Sequence, residues 1–450
     1  MSFIADRQTL DDLRITGKFR PGSIFSLFNQ VRTAGGEKLL EYMFSNPLSD
    51  PEEINKRSRI FHYFQQKSLS FPFDAAAVED MSSYLEGAAA TNLLSAMLGN
   101  FRKLVLGWVV KDEQYAALQH GLQSTIAILT ACRELFGELE RDGDTPYRDQ
   151  VLLARKIVED KRLDWLGSEK ASGRLTFFPL TRWDHLLRHT LRAPLEMLIV
   201  ILHYLDVSIA VGQVAAAHHF SYANALPKER NWIHAEQLSH PSLAIAVGNT
   251  LSFSRESNMI FLTGANMAGK STLMKSFGIA LYLAHMGFPV AAREMEFSIK
   301  DGIYSSINVP DSLKMGYSHF YAEVLRVKKV AEEVSGSKDM IVLFDELFKG
   351  TNVKDAYDAT LAVTEAFSAY RNCFFMISTH IIEVGEALRR KCSNIRFVYL
   401  ATVMEGTTPR YTYQLEEGIT ADRQGMIIIE KEGILEMLFT QNNVQRHSEK

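Results

Sequence analysis

Cysteine is scarce in this chain, with only Cys132, Cys373 and Cys392 among 450 residues. An odd number of widely scattered thiols is not the pattern of a disulfide framework, and none of the spacings is typical of a metal site. The cysteines therefore predict reduced thiols and a cytoplasmic protein.

An excess of positive charge is also missing, because 49 Lys and Arg stand against 53 Asp and Glu. Nucleic-acid binding would therefore have to come from a local basic patch. Residues 1–7 lack the basic start and apolar run of a signal peptide. The apolar stretch 197–217 is as long as a membrane span, but His203, Asp206 and Gln213 interrupt it. We expect a buried helix there, and no membrane association.

A glycine-containing loop at residues 264–272 has the pattern G-x-x-x-x-G-K-[ST], after an apolar run and before a helical one. In such a loop the backbone wraps a triphosphate, Lys270 neutralises its β- and γ-phosphates, and the Ser271 hydroxyl binds Mg²⁺. A strand before the loop and a helix N-terminus after it are the expected context of a phosphate site. The predicted nucleotide-binding residues are Gly264, Ala265, Asn266, Met267, Ala268, Gly269, Lys270, Ser271 and Thr272.

Two further apolar runs are predicted to end in polar groups at the same sheet edge. Residues 338–346 end in Asp345 and Glu346, and residues 373–380 end in His380. Ligands of α/β sheets bind at the carboxyl ends of the strands. We therefore expect Asp345 to hold Mg²⁺ through water and Glu346 to polarise the attacking water. A lone His is more often structural, and only its place behind this third strand favours catalysis.

These three strand ends resemble the ATPase of the MutS family, within the larger ABC class of P-loop enzymes. The loop is similar to the family's G-P-N-M motif, with Ala265 in place of Pro and Ala268 in place of an inner Gly. Residues 349–352, Lys-Gly-Thr-Asn, stand where the family has R-G-T-S, and His240-Pro241 matches the H-P that opens its nucleotide domain.

The resemblance implies ATP and Mg²⁺ as ligands and a site completed by a second copy of the chain. Residues 311–320 are similar to a family segment whose second Ser reaches the γ-phosphate of the opposite subunit, which implies a homodimer with Ser318 acting in trans. His380 would sense the γ-phosphate. Tyr413 falls where the family places an aromatic or His against adenine, although an aromatic of a strand core is an equally good reading.

The predicted fold is an all-α core and lever domain followed by an α/β P-loop NTPase domain of the ABC type. We divide the chain into a lead (1–23), a helical MutS-like domain (24–230) and an ATPase domain (231–450), with residues 26–64 resembling the start of the MutS core. The family's mismatch-recognition and connector domains normally precede that start, and we expect them to be missing. The clamp is expected to be reduced to a short loop near residues 167–178.

Residues 148–192, which we expect to form the tip of the lever, are the most basic part of the chain. Their charges alternate in sign, however, and also fit a solvated helix face. The candidate phosphate contacts are Arg155, Lys156, Lys161, Arg162, Lys170 and Arg174. The resemblance then implies ATP-dependent binding of double-stranded or structured DNA near the nucleoid, related to mismatch repair or recombination but without intrinsic mismatch reading. Docking of a MutL-like protein stays open.

Two alternatives remain. One is a MutS paralogue that clamps another structured nucleic acid, such as junctions or ribosomal RNA. The other is the ATPase subunit of a different ABC-type machine. The missing L-S-G-G-Q motif and the long helical half both argue against this alternative.

Overall fold

The chain folds into two compact units. The computed structural model describes residues 3–17, 22–87, 97, 100–101, 114–167, 176–243, 245–265, 267–307, 319–405, 408–420, 433–434 and 437. A helical unit contains Phe25–Ser45 and Lys56–Ala217, and an α/β unit contains Met1–Ile24, Asn46–Asn55 and His218–Lys450. The prediction of a helical domain followed by an α/β domain is therefore confirmed.

The described helices and strands have the following bounds. The helices are α1 (Arg7–Asp12), α2 (Ile24–Phe28), α3 (Ala34–Ser45), α4 (Pro51–Lys67), α5 (Ala75–Glu86), α6 (Gln114–Glu140), α7 (Arg148–Val158), α8 (Phe177–His185), α9 (Arg192–Ala217), α10 (Lys270–His285), α11 (His319–Ser335), α12 (Val353–Ser368) and α13 (Ile382–Lys391). The strands are β1 (Ile4–Ala5), β2 (Ser221–Tyr222), β3 (Asn224–Leu226), β4 (Ile233–Leu238), β5 (Asn249–Phe253), β6 (Met259–Thr263), β7 (Pro289–Val290), β8 (Glu294–Ser298), β9 (Gly302–Ser306), β10 (Met340–Asp345), β11 (Phe374–Ser378), β12 (Ile395–Glu405) and β13 (Thr408–Glu417).

Helix α9 is the centre of the helical unit and packs against α3, α5 and α7. It is long and apolar enough to cross a membrane, and 72% of its most apolar window is buried in the structure. Its buried Asp206 carboxylate accepts hydrogen bonds from the backbone N–H of Arg32 and Thr33, just before α3. A carboxylate at a helix N-terminus is favoured by the helix dipole. The expected buried helix is thus present, with its buried acid placed on backbone donors.

The α/β unit is organised on a seven-stranded sheet with the order β1-β9-β10-β11-β6-β12-β13. The strands are parallel except for β13, which pairs antiparallel with β12. Strands β6, β9 and β11 are buried along their whole length, as is usual in a parallel sheet covered on both faces. Because β10, β11 and β6 are parallel neighbours, their carboxyl ends meet at one edge.

Residues 3–17 belong to the α/β unit rather than forming a separate lead. Strand β1 pairs with β9, and a Cβ on Gly302 would lie 2.4 Å from the Ile4 carbonyl oxygen. The Asp6 carboxylate accepts hydrogen bonds from Arg326 and Lys329 on α11. The α/β unit also begins earlier than expected, at His218, because β2 and β3 pair with β7 and β8.

Candidate nucleotide site

The glycine-containing loop connects β6 to α10, as the strand-loop-helix pattern requires. Gly264 has a φ of 146° and Gly269 a φ of 101°, values that glycine adopts readily, while Met267 reaches a φ of 70°. Lys270 is the first residue of α10 and is 5% exposed. Its Nζ donates to the carbonyl oxygens of Gly264 at 2.9 Å and Ala265 at 3.1 Å. The ammonium group therefore lies folded back over the loop at the helix N-terminus.

Burial and two nearby acids act on the pKa of Lys270 in opposite directions. Burial lowers the pKa of Lys270, and the carboxylates of Glu346 and Asp345 oppose this by stabilising the ammonium form. The acids are thus close enough to interact electrostatically with the loop lysine. A cation and two anions at the N-terminus of a helix form a site suited to a charged ligand.

A hydrogen-bonded chain of three side chains joins the start of α10 to the ends of β10 and β11. Ser271 Oγ donates to Asp345 Oδ2, and Ser378 Oγ donates to Asp345 Oδ1. Ser271 is the second residue of α10, Asp345 ends β10 and Ser378 ends β11. Both oxygen atoms of the carboxylate are therefore held, one by the loop and one by the neighbouring strand.

Glu346 follows Asp345 with a φ of 53°, an unusual conformation for a residue with a side chain. Its backbone N–H donates to the Ser378 carbonyl oxygen at 3.0 Å, and Lys349 Nζ lies 3.9 Å from its carboxylate. His380 follows β11 and is exposed. None of the described residues hydrogen-bonds its ring. Both side chains are thus at the sheet edge next to the loop, Glu346 held by its backbone and His380 open to a ligand.

A cavity of about 410 Å³ lies beside the loop. Its walls come from the loop and the first turns of α10, from the segment between β4 and β5, and from the middle of β12 and β13. They include Leu238, Ser239, His240, Leu243, Ile245, Ala246, Val247, Asn249, Met267, Ala268, Gly269, Thr272, Leu273, Ser276, Leu400 and Tyr413. The volume and the mostly apolar lining with a few polar groups are typical of a small-molecule pocket.

The Tyr413 ring lies against the loop. A Cβ on Gly269 would come within 3.1 Å of Tyr413 Cδ1, so the ring packs on the backbone where α10 begins. Tyr413 is 47% exposed, which does not fit the alternative of a core aromatic. The ring therefore forms one wall of the cavity, next to the exposed Met267.

The oxygen atoms at Ser271 and Asp345 fit a magnesium ion. Mg²⁺ binds oxygen ligands, and it commonly takes one or two protein ligands together with phosphate oxygens and water. Ser271 Oγ and Asp345 Oδ2 are direct neighbours at the end of the loop. No cluster of three or more His, Cys, Asp or Glu able to hold a metal occurs in the part of the chain that the structure describes. The donor set thus fits an ion that is bound mainly through a nucleotide.

Two residues of this arrangement were not predicted. In the sequence, Ser378 falls within the apolar run 373–380 and is not among the predicted site residues. Its hydroxyl directly after the apolar residues, at the binding edge of the sheet, was a signal that could have identified it. Asn249 holds the backbone of Tyr413 through its side-chain amide. Its partners lie more than 160 residues away, so the local sequence contained no sign of them.

Several predicted site residues lie outside the described residues, namely Asn266, Lys170, Arg174 and Ser318. Of the other basic residues, Arg155 pairs with Glu140 and Glu159, and Arg162 pairs with Asp160. Lys156 and Lys161 are exposed, and neither forms an ion pair with a described carboxylate. These two lysines are therefore the more available cations of the set.

The sequence is similar to MutS proteins. The family model for MutS domain V matches residues 260–447. DNA mismatch repair protein spellchecker 1 of Drosophila melanogaster is 27% identical over 235 residues, which cover 50% of this chain and 25% of that protein. DNA mismatch repair protein msh-2 of Neurospora crassa is 27% identical over 221 residues, covering 47% and 23%.

A yeast protein gives the same result. DNA mismatch repair protein MSH2 of Saccharomyces cerevisiae is 27% identical over 259 residues, covering 52% of this chain and 26% of that protein. The match thus spans about a quarter of the length of these curated relatives. The chain is thus similar to MutS proteins, through the domain V match over residues 260–447 and through these three relatives.

Proposed function

We propose that this protein is a MutS-like ATPase that binds ATP with Mg²⁺ at the loop 264–272 and hydrolyses it. The observation that carries the proposal is the hydrogen-bonded chain Ser271–Asp345–Ser378 beside the buried Lys270. It places a hydroxyl, a carboxylate and an ammonium group around one loop at the carboxyl edge of a parallel sheet. Phosphoryl transfer depends on positioning and on charge stabilisation, and these groups provide both.

Each side chain has a distinct proposed role. Lys270 would exchange its contacts with two loop carbonyls for the β- and γ-phosphates. Ser271 and Asp345 would hold Mg²⁺, which would neutralise charge on the phosphates when bound. Glu346 would orient and deprotonate the attacking water, and the exposed His380 would contact the γ-phosphate. Tyr413 would stack on the base through the face that now borders the cavity.

We further propose that two copies of the chain complete each site. The support is the similarity of residues 311–320 to the MutS segment that reaches across the dimer, with Ser318 as the residue acting in trans. A dimer that closes on ATP and opens after hydrolysis would couple nucleotide state to the helical unit.

The ligand of the helical unit is proposed to be DNA. The relatives are named DNA mismatch repair proteins, which supports a MutS-like role in handling DNA. Lys156 and Lys161 could contact phosphates, whereas such contacts alone give no information on base sequence. We therefore propose DNA binding without intrinsic mismatch reading, in a protein of the cytoplasm.

Replacing the loop lysine tests the ATPase proposal. Lys270→Ala should abolish ATP binding, because it removes the cation for the β- and γ-phosphates. Lys275→Ala is the matched control, since this lysine lies on the same helix α10 but outside the loop. ATP affinity and steady-state hydrolysis are measured for both variants. Hydrolysis by Lys270→Ala at the rate of Lys275→Ala would refute the proposed site.

A further inference from the structure

Tyr413 has an unusual backbone conformation at the edge of the cavity. Its φ is 57°, in the left-handed region, which costs a residue with a side chain about 1–2 kcal/mol. It lies in a β-bulge, because the pairing of β12 with β13 shifts between Leu400 and Thr402. Bulges often redirect a side chain near a binding site. The bulge and the strained conformation together aim the Tyr413 ring at Gly269.

The side chain of Asn249 holds this bulge. Its Nδ2 donates to the Tyr413 carbonyl oxygen at 3.0 Å, and its Oδ1 accepts from the Leu415 N–H at 2.7 Å. These two backbone groups flank the position at which the ladder with β12 is interrupted. Asn249 therefore satisfies backbone groups that the bulge takes out of the sheet, and unsatisfied groups of this kind are costly.

Asn249 also connects this bulge to the opposite wall. It is the first residue of β5, is 8% exposed, and itself lines the cavity. Its Nδ2 lies 3.5 Å from the Val247 carbonyl oxygen, in the segment that forms the other side of the cavity. One carboxamide thus fixes the distance between the segment before β5 and the Tyr413 ring.

We propose that Asn249 is a positioning residue that sets the width of the cavity for a nucleotide base by holding Tyr413 in its left-handed conformation. This inference rests on the proposed ATPase function. Asn249 does not need to touch the nucleotide. It acts through Tyr413, so its effect should concern the base and should leave recognition of the phosphates intact.

The test compares a ligand that has a base with one that has none. Affinities for ATP and for inorganic tripolyphosphate are measured by calorimetry on the full chain, with Mg²⁺. Asn249→Ala should weaken ATP binding about tenfold, in line with the energy of one base–aromatic stack, and leave tripolyphosphate binding unchanged. Asn249→Asp should do the same, because its carboxylate still accepts from Leu415 but repels the Tyr413 carbonyl oxygen.

Two further variants separate positioning from general stability. Asn258→Ala is the control. Asn258 directly precedes β6, is fully buried, and its side-chain amide also donates to backbone carbonyls, those of Ser368, Tyr370 and Cys373. It should lower stability without changing the ratio of the two affinities. In the double variant Asn249→Ala with Tyr413→Ala, the loss of ATP affinity should equal that of Tyr413→Ala alone.

An unchanged ATP to tripolyphosphate ratio in both Asn249 variants would overturn the inference, and so would fully additive losses in the double variant. If the wild-type chain bound neither ligand, the proposed function itself would be overturned, and the inference with it. The two failures are therefore distinguishable in one set of titrations.

Discussion

Replacing Ser378 by Ala should weaken the metal site while leaving the fold intact. The hydroxyl of this fully buried residue donates to Asp345 Oδ1, whereas Ser271 donates to the other oxygen, Oδ2. Without Ser378 the carboxylate loses the partner that fixes its rotation about the β10 end. Asp345 would then be free to turn away from the ion.

The expected size of the effect follows from the number of bonds lost. One hydrogen bond to a charged group contributes about 1.5–3 kcal/mol. Replacing a residue that orients a metal ligand typically lowers metal affinity or activity by about 10-fold to 100-fold. We therefore expect the Mg²⁺ concentration for half-maximal ATP hydrolysis to rise by about 10-fold or more. The Glu346 N–H keeps its bond to the Ser378 carbonyl oxygen, so the strand end should stay in place.

The assay is steady-state ATP hydrolysis as a function of Mg²⁺, together with thermal unfolding. Ser368→Ala is the matched control, because this buried serine of α12 donates to the Glu365 carbonyl oxygen and does not border the site. Both variants should lose similar stability, and only Ser378→Ala should change the Mg²⁺ dependence. A Ser378→Ala protein with the wild-type Mg²⁺ curve would show that Ser378 does not orient Asp345 for the ion.

Three other predictions concern the dimer, the DNA and the sheet edge. Mixing Lys270→Ala with Ser318→Ala subunits should restore part of the hydrolysis, because one site per heterodimer is complete; no recovery despite proven subunit exchange would exclude the composite site. Charge reversal at Lys156 and Lys161 should weaken duplex binding and reduce its log–log salt slope by about 0.9 per lost phosphate contact, equally for G·T and G·C duplexes, whereas a tenfold G·T preference would contradict this. Burial raises the pKa of Asp6, but hydrogen bonds from Arg326 and Lys329 outweigh it and hold the pKa well below the ordinary 3.8. The contribution of Asp6 to stability is therefore present above pH 3.8 and lost below it. The free energy of unfolding of Asp6→Asn should be about 2 kcal/mol below wild type at pH 7, and this difference should shrink below pH 4. A difference that stays constant with pH would contradict the prediction.

The central strands of the α/β unit were predictable because their signals are local. The apolar runs predicted within residues 338–346 and 373–380 are found as β10 and β11, buried as expected of parallel strands. The pattern of the glycine-containing loop predicted a strand before it and a helix after it, and these are β6 and α10. Tyr413, named from the family resemblance, is found on β13 beside the loop.

The N-terminal segment could not be placed in this way. Strand β1 has only two residues, and no periodicity distinguishes them from a loop. The partners of this segment, Gly302 for Ile4 and Arg326 for Asp6, lie about 300 residues further along the chain. The same applies to Asn249, whose role depends on a bulge in a distant strand. Where a residue acts by satisfying remote backbone groups, the sequence alone gives its identity but not its partner.

In the proposed function, Glu346 activates water at an ATP site formed by the loop and the ends of β10 and β11. The most direct test is Glu346→Gln, measured for both ATP affinity and hydrolysis. Gln keeps the size and the backbone bond to Ser378 but cannot accept a proton from water. We expect ATP affinity close to wild type and hydrolysis reduced by about 100-fold or more. Hydrolysis near the wild-type rate would contradict this expectation.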